Sequence, residues 1–152
     1  MGARTRLAVW GDPISHSRSP RLHTAAYERL GLAWEYGRQQ VDAAGFPSAL
    51  AALNESWRGL SLTMPLKEVA HEAANDLDAH ARLTGAVNTL LLGERLHGFN
   101  TDVGGIVDAF THAGVGDLAD VRILGAGATA ASALVAVGEL GAQTVEVRAR
   151  RP

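Results

Sequence analysis

Val121-Arg-Ile-Leu-Gly-Ala-Gly-Ala-Thr-Ala130 decides the fold class of this chain. Val121 to Leu124 predicts a short buried strand, Gly125 to Gly127 a tight turn, and Thr129 to Leu140 a helix. Thr144 to Arg148 predicts a second strand, so the segment reads as a βαβ unit with parallel strands. Within it, Gly125-Ala126-Gly127-Ala128-Thr129-Ala130 fits the pattern G-x-G-x-x-G/A. The first glycine permits the turn, and the second lets backbone approach a pyrophosphate. Ala130 lets helix and strand pack closely, and the helix N-terminus faces the anion. These six residues are candidate dinucleotide contacts. At the tip of the second strand, where a carboxylate would bind the ribose hydroxyl of NAD, stands Arg148-Ala149-Arg150-Arg151. Arginines there attract a 2′-phosphate, so NADP is the expected cofactor, with Arg150 and Arg151 as its contacts. Glu146 lies inside the strand, away from the tip.

Working back from this unit, the same alternation fills the rest of the chain. Arg6 to Trp10 predicts a strand stopped by Gly11-Asp-Pro13. Ser19 predicts an N-cap with Pro20 at the first helical position, and Gly31 ends that helix. A strand over Trp34 to Val41 follows, then a helix capped by Asp42 and carrying Phe46, Leu50 and Leu53. Arg58 to Thr63 predicts a third strand ahead of helices over 66–74 and 79–83. Ala86 to Leu92 and Arg95 to Phe99 read as two strands around a Gly93-Glu94 turn. Asn100-Thr-Asp102 leads into a helix carrying Val103, Ile106, Val107 and Phe110, after which the pattern restarts. The expected organisation is a three-layer α/β domain over 1–104, followed over 105–152 by a truncated Rossmann-type βαβ unit. One such unit cannot cover both faces of its sheet, so the chain reads as a fragment of a longer protein.

Composition narrows the function classes. The chain has 152 residues, 47% of them hydrophobic, with a net charge of −2 and no cysteine. Disulfides, thiolate catalysis and cysteine-bound zinc are excluded, and the histidines, His16 and His23 among them, lack ligand spacing, so no metal is expected. There is no basic stripe for nucleic acid, no apolar run near the ~18–20 residues of a membrane span and no signal-peptide core. A cytoplasmic protein is expected. Lys67 is the single lysine beside 13 arginines. In a chain that otherwise uses arginine for positive charge, an amine able to lose its proton near neutral pH points to chemistry at that position.

Four polar motifs fall at predicted strand ends, where open α/β sheets bind ligands. They are Ser15-His-Ser17-Arg-Ser19-Pro20, Ser61-Leu-Thr63-Met-Pro65-Leu-Lys67, Asn88-Thr89 and Asn100-Thr-Asp102. Hydroxyls, a carboxamide, an ammonium and a carboxylate suit a small polyhydroxylated carboxylic acid. Each also has a plain structural role to set against this: Ser19 and Asp102 as helix caps, Asn88 as a turn residue, Lys67 as a solvated first-turn cation.

At these residues the chain resembles the shikimate dehydrogenase family. The matching pieces are Gly11-Asp-Pro-Ile-Ser-His-Ser17-Arg-Ser19-Pro20, Ser61-Leu-Thr63-Met-Pro65-Leu-Lys67-Glu68, Gly85-Ala-Val-Asn88-Thr89, Gly98-Phe-Asn100-Thr-Asp102-Val-Gly104-Gly105 and the glycine loop. The resemblance implies NADP-dependent, reversible reduction of 3-dehydroshikimate to shikimate, a step toward chorismate and the aromatic amino acids. It implies that Ser17 and Ser19 hold the substrate carboxylate, that Thr63, Asn88, Asp102 and Lys67 hold ring hydroxyls, and that Lys67 and Asp102 are the catalytic pair. A homodimer is compatible with it. Two positions depart from the family: Ser61 stands where many members have Asn, and Ala149-Arg150-Arg151 replaces an Asn-Arg-Thr motif. The family continues for over a hundred further residues, so these 152 alone are expected to be inactive. Quinate or aminoshikimate dehydrogenases are the neighbouring alternative, and a non-catalytic shikimate-binding module the alternative from another class.

Overall fold

The computed structural model describes residues 5–116 and 118–150. Their first strand, β1 (Thr5–Gly11), is the axis of the molecule. It pairs in parallel with β2 (Trp34–Gln40) on one side and β3 (Trp57–Leu62) on the other. β3 then pairs antiparallel with β5 (Thr89–Leu91), and β5 antiparallel with β6 (His97–Phe99). A two-residue strand, β4 (Asp76–Leu77), closes the edge beside β6, giving one mixed sheet of order β2-β1-β3-β5-β6-β4. β7 (Asp120–Leu124) and β8 (Thr144–Arg148) form a separate parallel pair.

The period of two along β1 sorts the core into layers. Ala8 and Trp10 point to one face, with Leu60, Leu62 and Leu90. There they pack on Phe46 of α2 (Phe46–Ala51), Ala70 of α3 (Lys67–Ala73) and Ala81 of α4 (Ala79–Thr84). Val9 points to the other face and packs with Ile14, Tyr36 and Tyr27 of α1 (Ser19–Leu30). The three-layer α/β reading of the sequence thus holds. α5 (Asp102–His112) leaves the sheet and packs along α6 (Ala128–Glu139), the helix of the βαβ unit.

Several local expectations need correction. Ser19 is the first residue of α1 and Arg18 occupies the N-cap, its carbonyl accepting the Leu22 amide at 3.2 Å, while the Ser17 hydroxyl accepts the Ser19 amide at 3.3 Å. Asp42 does not cap α2; its carboxylate takes the Gly45 amide at 2.7 Å in the preceding turn, and Gly45 is the cap. β7 is not buried: Leu124 is 79% exposed, and among the described residues α6 is the helix that packs on the two-stranded sheet. β4 had no sequence signal, because two residues are too short for any periodicity.

Candidate active site

Lys67 is the first residue of α3, an electrostatically poor place for a cation, since helix N-termini carry partial positive charge. Its ammonium is held there by Asp102, with Nζ donating to Oδ2 at 2.5 Å. Asp102 is itself the first residue of α5, where a carboxylate suits the helix dipole. The side chains are 14% and 28% exposed, so the pair is partly shielded but open to a ligand.

Asn88 completes the cluster. Its Nδ2 donates to Asp102 Oδ1 at 2.7 Å and to Thr101 Oγ1 at 2.9 Å, and its Oδ1 accepts from Thr89 Oγ1 and the Thr101 amide. The backbone fixes it from both sides. Leu62 N donates to Asn88 O at 2.7 Å, Asn88 N to Phe99 O at 3.0 Å, and Val87 N to Lys67 O at 2.8 Å. Lys67, Asn88 and Asp102, far apart in sequence, are therefore joined by direct bonds. One step out, Asn100 Oδ1 accepts the Asp102 amide at 3.0 Å.

Ser17 and Ser19 lie at the start of α1 and make no bond to this cluster. They connect to the sheet by another route. Ser19 O accepts from His23 Nδ1 at 2.9 Å, and the His23 ring stacks on Tyr36 with centroids 3.9 Å apart. Tyr36 then donates its hydroxyl to Ser61 Oγ at 2.7 Å. Burial raises the Tyr36 pKa, so the phenol stays a donor. Ser61 faces Thr89 in the β3–β5 register, which returns the path to Asn88. Thr63 follows β3 at the sheet's open end. A Cβ on Gly11 would run into the Thr63 methyl and lie 2.9 Å from Met64 O, so only glycine lets these loops meet.

The glycine loop stands opposite. Gly125 has φ +116, which a side chain would strain, and its amide donates to Arg148 O at 2.8 Å, tying the loop to the end of β8. Gly127 caps α6 in extended conformation, and a Cβ there would meet nothing within 4 Å, which leaves its backbone open to solvent. A cleft of about 670 Å³ is lined on one wall by Thr63, Met64 and Lys67, and on the other by Gly125, Gly127 and Ala128 to Ala130. A second hollow of about 650 Å³ joins Gly125, Ala126 and Gly127 to Arg148 and Arg150. Arg151 lies outside the described residues. Glu146 is occupied by two arginines, Arg148 and Arg122, each at 2.6 Å, and hydrogen bonds first from Arg148 and then from Arg122 hold its carboxyl below the usual range. This gives Arg148 a neutralising partner and leaves Arg150 without one among the described residues.

Sequence reasoning missed Tyr36, His23 and Ser132. Tyr36 lies inside the strand expected over Trp34 to Val41 and Ser132 inside an alanine-rich helix, where no local signal marks either. Among the described residues no group of three or more His, Asp or Glu is placed to hold a metal, and no helix is long and apolar enough to cross a membrane.

Residues 9–90 match the family model described as the shikimate dehydrogenase substrate binding domain. The chain is 38% identical over 137 residues to shikimate dehydrogenase (NADP(+)) of Thermus thermophilus, covering 90% of this chain and 52% of that protein. It is 39% identical over 155 residues to the Bordetella avium enzyme of that name, covering 99% and 54%. The crystal structure of shikimate 5-dehydrogenase from Thermus thermophilus in complex with NADP(H) and shikimate superposes with a TM-score of 0.87 at 38% identity. That likeness covers 97% of this chain and 56% of the other. The chain thus spans about half the length of the curated relatives it matches. With the Lys67, Asn88 and Asp102 cluster inside or beside the matched segment, and this likeness running over nearly all its residues, the chain belongs to the shikimate dehydrogenase substrate-binding domain family.

Proposed function

We propose that this chain is the substrate-binding part of an NADP-dependent shikimate dehydrogenase together with the opening of its nucleotide unit. The first part is residues 1–104 and the second 105–152. One observation carries the reading. A lysine–carboxylate pair 2.5 Å apart opens, through Lys67, into a cleft whose other wall is a glycine loop at a helix N-terminus.

The residues present fit the cofactor. The positive φ of Gly125, the open backbone at Gly127 and the N-terminus of the 12-residue α6 suit a pyrophosphate. Arg150 at the second hollow suits a 2′-phosphate, with Arg148 beside it, and Arg151 follows in sequence. NADP, when bound, supplies or accepts the hydride. The chain's own groups do the rest. Ser17 and Ser19, at the N-terminus of α1, hold the substrate carboxylate, while Thr63 and Asn88 hold ring hydroxyls. Lys67 gives a proton to the carbonyl oxygen in reduction and takes it back in oxidation. Asp102 orients the reacting hydroxyl and keeps the ammonium in place. The relatives' names attach this reaction to those proteins; here it is supported by the lysine–aspartate–asparagine geometry.

The test is shikimate oxidation by the intact protein, followed at 340 nm with NADP. Turnover that exceeds that with quinate supports the reading. Preference for quinate would move the assignment to the neighbouring dehydrogenase, which the Tyr36–Ser61 bond at an otherwise asparagine-bearing position makes the relevant comparison. Shikimate binding without turnover in the intact protein would leave a binding module.

A further inference from the structure

We infer that Asn100 and Ser132 form a buried joint that couples the glycine loop to Asp102, making Ser132 a positioning residue for the reaction proposed above, on which this inference rests. Asn100 is 1% exposed and Ser132 0%. A buried carboxamide is costly unless its groups are satisfied, and Asn100 finds its partners on three separate segments. Its Nδ2, which carries two protons, has three acceptors within hydrogen-bond distance: Thr84 Oγ1 at 2.9 Å, Ala86 O at 3.1 Å and Ser132 Oγ at 3.1 Å. Its Oδ1 accepts the amide of Asp102 at 3.0 Å.

On the other side of the joint, Ser132 Oγ donates to Ala128 O at 3.1 Å. Ala128 is the first residue of α6, directly after Gly127. A continuous path therefore runs from the cofactor end of α6, through Ser132 and Asn100, to the backbone that carries Asp102. Directly between α4 and α6 the described residues show one side-chain hydrogen bond, His80 with Glu139 at 2.8 Å, which is solvent-exposed and touches neither end of this path. The serine adds a bond between the two halves of the site.

Coupling of this kind is reciprocal: each ligand must tighten the other by the same factor. The experiment is calorimetric titration of the intact protein with shikimate, alone and with saturating NADPH. Both ligands are reduced, so the ternary complex cannot turn over. The wild type is expected to bind shikimate about 5-fold or more tightly with NADPH present. Ser132→Ala should bind each ligand alone within about 2-fold of wild type and lose the enhancement, because Asn100 keeps Thr84, Ala86 and Asp102 as partners. Ser132→Thr, which keeps the hydroxyl, should retain it. An unchanged enhancement in Ser132→Ala, or none in wild type, overturns the joint while leaving the enzyme assignment standing. Failure of wild type to bind either ligand overturns both.

Discussion

In the proposed reaction Lys67, the first residue of α3 and held by the Asp102 carboxylate, is the proton carrier. On that proposal, removing the amine removes the proton transfer but leaves Asn88, Thr63 and the serines to bind substrate. Lys67→Ala in the intact protein should therefore lower kcat by roughly 10²–10⁴-fold while KM for shikimate changes much less. A loss confined to KM would reduce Lys67 to a binding group. Tyr36 offers a finer test. Tyr36→Phe deletes the bond to half-buried Ser61 and nothing else, since the ring still stacks on His23. The expected cost is about 1 kcal/mol in urea denaturation, together with a raised KM for shikimate and an unchanged kcat. A changed kcat with constant KM would show that Ser61 serves the reacting centre instead of the ring subsite.

At the level of elements, the edge formed by β4 and β6 depends on charge. Arg95 donates two bonds to Asp76, at 2.6 and 2.8 Å, with His97 3.6 Å away. The bond from Arg95 holds the Asp76 carboxyl below its ordinary pKa. A depressed carboxyl contributes stability above its unfolded value and loses it as pH falls through the folded one. Denaturation midpoints should drop as pH falls from neutral into the acid range. Asp76→Asn should be weaker at neutral pH and show a smaller drop; an identical drop would place the acid sensitivity elsewhere. These elements also show what a sequence can disclose. α1, β3, α5 and α6 were legible because proline, glycine and apolar periodicity act within a few residues. So was the βα turn at Gly125, whose φ only glycine takes without strain. The pairing of Lys67 with Asp102 was legible only through family resemblance, because 35 residues separate them and no local rule connects them. The bridge from Tyr36 to Ser61 and the joint at Asn100 crossed strands and helices that propensity treats separately. The cap at Ser19 was misplaced by one residue because the first helical bond is accepted by the Arg18 carbonyl, from the Leu22 amide, and no side chain caps that turn.

At the scale of the whole molecule, the six-stranded sheet and the two-stranded one meet through α5, α4 and α6, with the cleft between them. How firmly they are held decides whether Lys67 faces the glycine loop in a fixed geometry. Among the described residues two polar side-chain links bridge them, His80 with Glu139 and Asn100 with Ser132, and their physics differs. His80 and Glu139 are exposed, so solvent screens the pair and side-chain entropy offsets it. His80→Ala should change unfolding stability by less than about 1 kcal/mol. Asn100 is sealed from water, and its removal leaves the Asp102 amide without its side-chain acceptor and the Ala86 carbonyl with only the Thr84 hydroxyl at 3.3 Å. Asn100→Ala should cost about 2–4 kcal/mol by the same measurement. If the two substitutions cost the same, the cleft is set by apolar packing of α5 on α6, and the buried amide is a passenger. The expected difference makes the joint between the sheets polar and directional, which suits a site whose lysine and glycine loop must keep one distance.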